Sequence, residues 1–275
     1  MSSLVRTLAV EAAEEPSPFE TLMSHLTPHR YGWAPEWQLG PFDLSITNAV
    51  FNMWLAAALV VLMFWIGASK PKIVPKKFQN FLEIVHNFVK DNIVYNVMTA
   101  KDARTWYPFI GTIFFFILMM NLVGLIPYFG FTPTSNLFVT AALALSVYLL
   151  AIGLGMVKHG VFTFWKKTLV PPDIPKMLLP LMIPIEIVSQ LARPFSLAVR
   201  LFANMLADHI ILLIFVGFIF LVGTTFSLAH LVVIPIAMIF EVVFTAFAIF
   251  VAFIQAVIFA FLSTIYINDA LHPGH

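Results

Sequence analysis

Residues 194–218 read PFSLAVRLFANMLADHIILLIFVGF. Apart from Arg200, Asn204, Asp208 and His209, this run is apolar enough to cross a bilayer. A guanidinium keeps its proton at any reachable pH. Near the membrane centre it costs about 2.5–3.5 kcal/mol even on the lenient insertion scales, so an arginine retained there marks a functional site by default. The rest of the chain fits the same solvent. Of its 275 residues 60% are hydrophobic and 11% charged, and mean hydropathy is +0.93. Soluble domains carry about 25% charged residues. The fold class that follows is an all-α polytopic membrane protein. The chain has no cysteine, so thiol catalysis, thiol-ligated metal and a disulfide scaffold are excluded. A net charge of +1 gives no footprint for nucleic acid, and no glycine-rich loop would cradle a phosphate.

Outward from that run, hydropathy divides the chain into an N-terminal segment and a membrane domain, 45–275. Residues 1–44 are mixed, with Pro, Glu and Trp; Arg6 interrupts the short apolar start, which therefore reads as a mature tail. Spanning helices are expected over about 46–68, 105–130, 136–157, 177–222 and 228–268, at roughly 20 residues per crossing. Residues 78–98 alternate apolar and charged positions at helical spacing, which predicts an interfacial amphipathic helix. The last two apolar segments would each form a helix about 60 Å long, twice the hydrocarbon thickness. They must be tilted, kinked or split, and Pro194 and Pro235 offer kinks. Basic clusters at 70–77 and 158–176 are separated by an even number of spans. The positive-inside rule puts both in the cytoplasm, with the N-terminus outside and the C-terminus inside.

Helical residues three, four or seven apart share a face. Glu186, Gln190, Arg193, Arg200, Asn204 and Asp208 follow that spacing, whereas His209 lies about 180° from Arg200. Arg193 and Lys176 read as residues snorkelling to the interface. The last segment carries His230, Glu241, Thr245 and Gln255 on one stripe, interleaved with Ala237, Ala248, Ala252 and Ala256. Small residues allow close helix approach, and isolated polar ones supply intramembrane hydrogen bonds. Gln255 is a candidate to hold Arg200 without neutralising it, and Asn204 and Gln255 serve equally well as glue between helices. Glu241, an acid in an apolar helix, is a candidate proton carrier.

The runs LARPFSLAVRLFANMLADHI and AFIQAVIFAFLSTIYINDALH, with MNLVGLIPYFGFTPTSNLFVTAALAL before them, closely resemble subunit a of the F-type ATP synthase membrane sector. The resemblance implies a five-span fold whose last two helices form a long tilted hairpin against a rotating ring of c subunits. It implies two offset half-channels carrying protons to and from the ring carboxylates. Arg200 would match the family's essential arginine, Asn204 the asparagine beside it, Gln255 the glutamine of the last helix, and Glu186 an upstream acid. His209 stands where members carry glutamate or histidine. Members with the histidine usually place an acid seven residues before the glutamine; that position here is Ala248, and the nearest acid is Glu241. Glu241 then either replaces that acid or only lines the path, together with Asp208, His209 and His230. The resemblance further implies peripheral-stalk b subunits and the rest of the ATP synthase as partners, membrane lipid around the chain, and no cofactor or metal. Nucleotide chemistry would lie on other subunits, in an energy-coupling membrane such as the bacterial inner membrane.

Three other readings fit less well. A self-contained ion channel or secondary transporter usually shows internal repeats, and the sequence has none that is persuasive. An intramembrane enzyme needs a nucleophile and base or a metal cluster, but Ser196 has no suitably spaced histidine and HExxH is absent. A scaffold without an ion path leaves Arg200 and Glu241 unexplained.

Overall fold

The computed structural model describes residues 38–39, 42–43, 47–68, 77–126, 132–170, 176–223 and 230–273. The 1–44 segment lies outside them except for a two-residue antiparallel ribbon, Gln38–Leu39 against Phe42–Asp43. Lys70, Lys72 and Lys76 also lie outside them.

Seven helices dominate the described residues. Helix α1 spans Asn48–Ala68. Helix α2, Lys77–Asn87, continues through a π-helical stretch, Phe88–Val94, into a short turn, Tyr95–Val97. Helices α3, Ala100–Gly124, and α4, Leu137–His159, are joined by the 3-10 turn Pro133–Ser135. Helix α5, Val161–Leu169, follows directly after Gly160. The last two are α6, Leu179–Gly223, and α7, His230–Leu271. Five of these helices are long and apolar enough to cross a membrane, making the protein an integral multi-pass one.

One expected boundary shifts, and two connections gain structure. The span placed at 105–130 begins five residues earlier, because Thr99 is extended and its hydroxyl donates to Asp102 at 2.9 Å in the first turn. The basic stretch after α4 contains a helix of its own. Gly160, at φ 80°, takes a backbone conformation that favours glycine, so α4 stops and α5 starts on a new axis. The connection around Pro133 is buried: Thr132, Pro133 and Thr134 lie inside the protein, and Thr134 donates to Asn121 of α3 at 2.8 Å.

The core sits on α3. More than half of its apolar window is buried (56%), against 22–28% for the other four spans. Ile110, Phe114, Ile117 and Met120 of α3 meet Ala256, Phe259 and Ala260 of α7, Ala144 and Val147 of α4, and Leu197 and Leu201 of α6 in one cluster. Helix α1 packs through Phe64, edge-on to Phe115 at 4.9 Å.

Helices α6 and α7 are continuous, of 45 and 42 residues, and not split into two passes each. Pro184, Pro194 and Pro235 sit within them. The pair is an antiparallel hairpin, since contacts run Arg193 to Asp269, Asn204 to Gln255 and Phe215 to Phe240. Phe215 stacks on Phe240 with ring centroids 5.6 Å apart. The alanines expected to permit close approach, Ala237, Ala248, Ala252 and Ala256, are all buried.

Candidate ion path along the long hairpin

Two arginines lie on the polar stripe of α6, and they are treated differently. Arg193 is tied down rather than left to snorkel. Its Nη1 meets Asp269 Oδ2 at 3.0 Å, and its guanidinium lies over the Tyr266 ring at 5.8 Å. Arg200 is exposed, and among the described residues it has no ion pair or side-chain hydrogen bond. Its exposed neighbours on that side of α6 include Ser196, Ala203 and Ala207, which are small enough for another helix to approach the guanidinium closely.

Around Arg200 the polar residues are held in two sets. On one side, Asn204 Nδ2 donates to Gln255 Oε1 at 2.8 Å. Gln255 is fully buried and its Nε2 has no partner. The idea that Gln255 holds Arg200 is therefore corrected: its carbonyl accepts from Asn204 instead. Helical spacing within α6 and α7 did not fix the rotation of one helix against the other, which decides that pairing.

Further along, Asp208 is half-buried, with Oδ2 enclosed and without a hydrogen-bond partner. The next residue, His209, is buried and shares a hydrogen bond through Nε2 with the Thr132 hydroxyl. The opposition of His209 to Arg200 expected from 3.6-residue periodicity is thus present: one faces the interior, the other the open side. Thr132 was not anticipated, because it lies in a connection with no helical period to read. Gly124 leaves room for it; a Cβ there would come within 1.7 Å of the Thr132 hydroxyl oxygen.

On the other side of Arg200, Glu186 Oε1 accepts from Gln190 Nε2 at 2.8 Å, and Gln190 Oε1 accepts from Tyr148 of α4 at 3.2 Å. Glu186 and Asp208 lie about 21 Å and 12 Å from Arg200 along the axis, in opposite directions, at 1.5 Å per residue. Glu241 is part-buried, and its backbone carbonyl accepts from the Thr245 hydroxyl at 2.8 Å. It stands two turns, about 10 Å, beyond buried Ala248. The His230 side chain lies outside the described residues. Among the described residues no three His, Asp or Glu side chains gather to hold a metal ion.

The geometry is a fixed cation on an open helix face, with acids and amides in two groups displaced to either side of it. Residues 50–268 match the family model described as ATP synthase A chain. The chain is 48% identical over 238 residues to the ATP synthase subunit a of Magnetococcus marinus, covering 86% of this chain and 88% of that protein. It is 42% identical to the ATP synthase subunit a of Maricaulis maris, over 85% of this chain and 91% of that one. With the subunit a of Beijerinckia indica the identity is 40%, over 85% and 90% of the two chains. From residue 50 to residue 268, across all five apolar helices, this chain belongs to the ATP synthase A chain family.

Proposed function

We propose that this chain is the stator of a proton-driven rotary ATP synthase, and that it forms two offset half-channels beside a ring of c subunits. One observation carries the reading: Arg200 is a permanent charge in an apolar helix, unpaired and exposed on a face lined by small residues. Such a charge is costly against lipid. Its compensating anion must come from outside the chain, and a carboxylate on each passing ring subunit supplies one. The guanidinium field favours the ionised form of that carboxylate and so promotes proton release. The same fixed charge opposes a proton moving straight from one path to the other. A self-contained channel or transporter would instead satisfy Arg200 within its own fold.

The inlet path runs past Asp208, His209 and the amide pair Asn204–Gln255, with His230 and Glu241 towards its mouth. Glu186, joined to Gln190 and Tyr148, belongs to the outlet path on the other side of Arg200. Asp208 takes the place of the acid absent at Ala248: it adjoins His209 and keeps an enclosed oxygen free for a proton. Glu241, about 10 Å further out, lines the path. Each proton crossing 100 mV yields about 2.3 kcal/mol, so several are accumulated by rotation for each nucleotide made elsewhere in the complex. Peripheral-stalk b subunits hold the chain against torque. The setting is a bacterial inner membrane, with the N-terminus outside and the C-terminus in the cytoplasm.

The test is Arg200→Ala in the assembled complex, reconstituted into vesicles. ATP-driven proton pumping is expected to vanish while passive proton leak persists or rises. Retained coupled synthesis would refute the gating role.

A further inference from the structure

The outer face of α5 has no part in the proton path, yet it has the features of a binding surface. Phe162, Thr163, Lys166, Lys167 and Val170 line an open concavity of about 410 Å³. They recur at helical spacing on one side of α5, and the opposite side is pinned down by Phe164, which is buried against Gly155 of α4. Phe162 is 92% exposed, an unusual position for a phenylalanine unless something apolar covers it. Both lysines beside it are exposed, as is Lys158 in the last turn of α4.

Depth identifies what covers this face. Helix α4 has 23 residues. It is therefore about 35 Å long, slightly more than the roughly 30 Å hydrocarbon layer. The break at Gly160 then places α5 at the level of the lipid headgroups. Trp165, edge-on to Phe164 at 5.7 Å, suits that level. A helix with lysines and an exposed aromatic on one face matches the composition of segments that lie in the interface and attract anionic lipid. We propose that this face is a binding site for an anionic phospholipid: Lys166 and Lys167 contact its phosphate, and Phe162 and Val170 contact its acyl chains.

The chain has no cysteine, so a fluorophore on Thr163→Cys reports from this face in the assembled complex once cysteines on other subunits are replaced. The complex is reconstituted into phosphatidylcholine vesicles containing brominated phosphatidylglycerol or, separately, brominated phosphatidylcholine as quencher. Quenching is expected at a far lower mole fraction of phosphatidylglycerol. The variant K166Q/K167Q should reduce that preference about thirtyfold, roughly fivefold per lysine. Both lysines are exposed, so this variant should assemble; ATP hydrolysis at parental rate checks that. Equal quenching by the two lipids would overturn the proposal. So would no quenching by either, which would mean that a neighbouring subunit or water covers the face.

Discussion

Replacing Asn204 by leucine should harm the fold more than replacing the glutamine to which it is bonded. Asn204 Nδ2 donates to Gln255 Oε1 at 2.8 Å, but only Gln255 is fully buried, and its Nε2 already lacks a partner. N204L removes the hydrogen bond, worth about 0.6 kcal/mol inside a membrane. It also leaves a buried carbonyl without a donor, at about 1–3 kcal/mol. The expected total is about 2–3 kcal/mol. Q255L loses the same bond but takes both buried polar atoms with it, and Asn204 can turn towards the open side. Leucine roughly matches glutamine in volume, so the loss should stay below about 1.5 kcal/mol. The double variant N204L/Q255L should recover most of the damage, because exchanging both partners for apolar groups is nearly neutral.

The assay is detergent-induced unfolding of the chain in bicelles, followed by tryptophan fluorescence, for the two single variants and the double. If Q255L proves as damaging as N204L, the buried glutamine does not depend on Asn204 in the way described. Proton flux in the assembled complex then separates the two roles of the pair. Stability that returns in the double variant without flux marks the amides as part of the path. The return of both marks them as packing.

Asp208→Asn is expected to slow proton flux at least tenfold, whereas Glu241→Gln should change it less than about threefold, in the range a lining residue would give. Acid-quench measurements of passive flux through the sector alone would decide, and the reverse order would assign the missing acid to Glu241. Gly155→Ala brings a Cβ within 2.2 Å of the rigid Phe164 ring. It should cost about 1–3 kcal/mol by overpacking, measured by the same unfolding assay, and adding Phe164→Leu should restore most of it.

Much of this site could be read from spacing alone. Arg200, Asn204 and Asp208 recur every four residues, which put them along one side of α6 before any contact was known. The nine-residue step to His209 turned it inward, and the alanines of α7 marked its buried side. What escaped falls into two physical kinds. Relations between helices depend on their rotation against each other, which is why Gln255 bonds Asn204 and not Arg200, and why Arg193 finds Asp269. Residues in connections have no period: Thr132 reaches His209 from a buried turn, and α5 hides in a basic stretch that also resembles a cytoplasmic loop. The π-helical stretch Phe88–Val94 likewise leaves no mark in an otherwise helical pattern.

The distribution of satisfied and unsatisfied polar groups divides the hairpin into parts that hold and parts that act. Towards the C-terminal end of α7, Asp269 pairs with Arg193, His272 donates to Asp102 at 2.9 Å, and His159 donates to the Leu271 carbonyl at 2.9 Å. Those contacts fasten α7 to α3, α4 and α6. Midway along α6 the pattern reverses, with Arg200 unpaired and one oxygen of Asp208 enclosed but unbonded. A low-dielectric setting penalises such groups steeply. A fold able to pair Arg193 with an acid had the same means to pair Arg200. An open arginine is what the proposed function requires: a rotor whose carboxylates pass one after another would present an anion to it without ever neutralising the site for good.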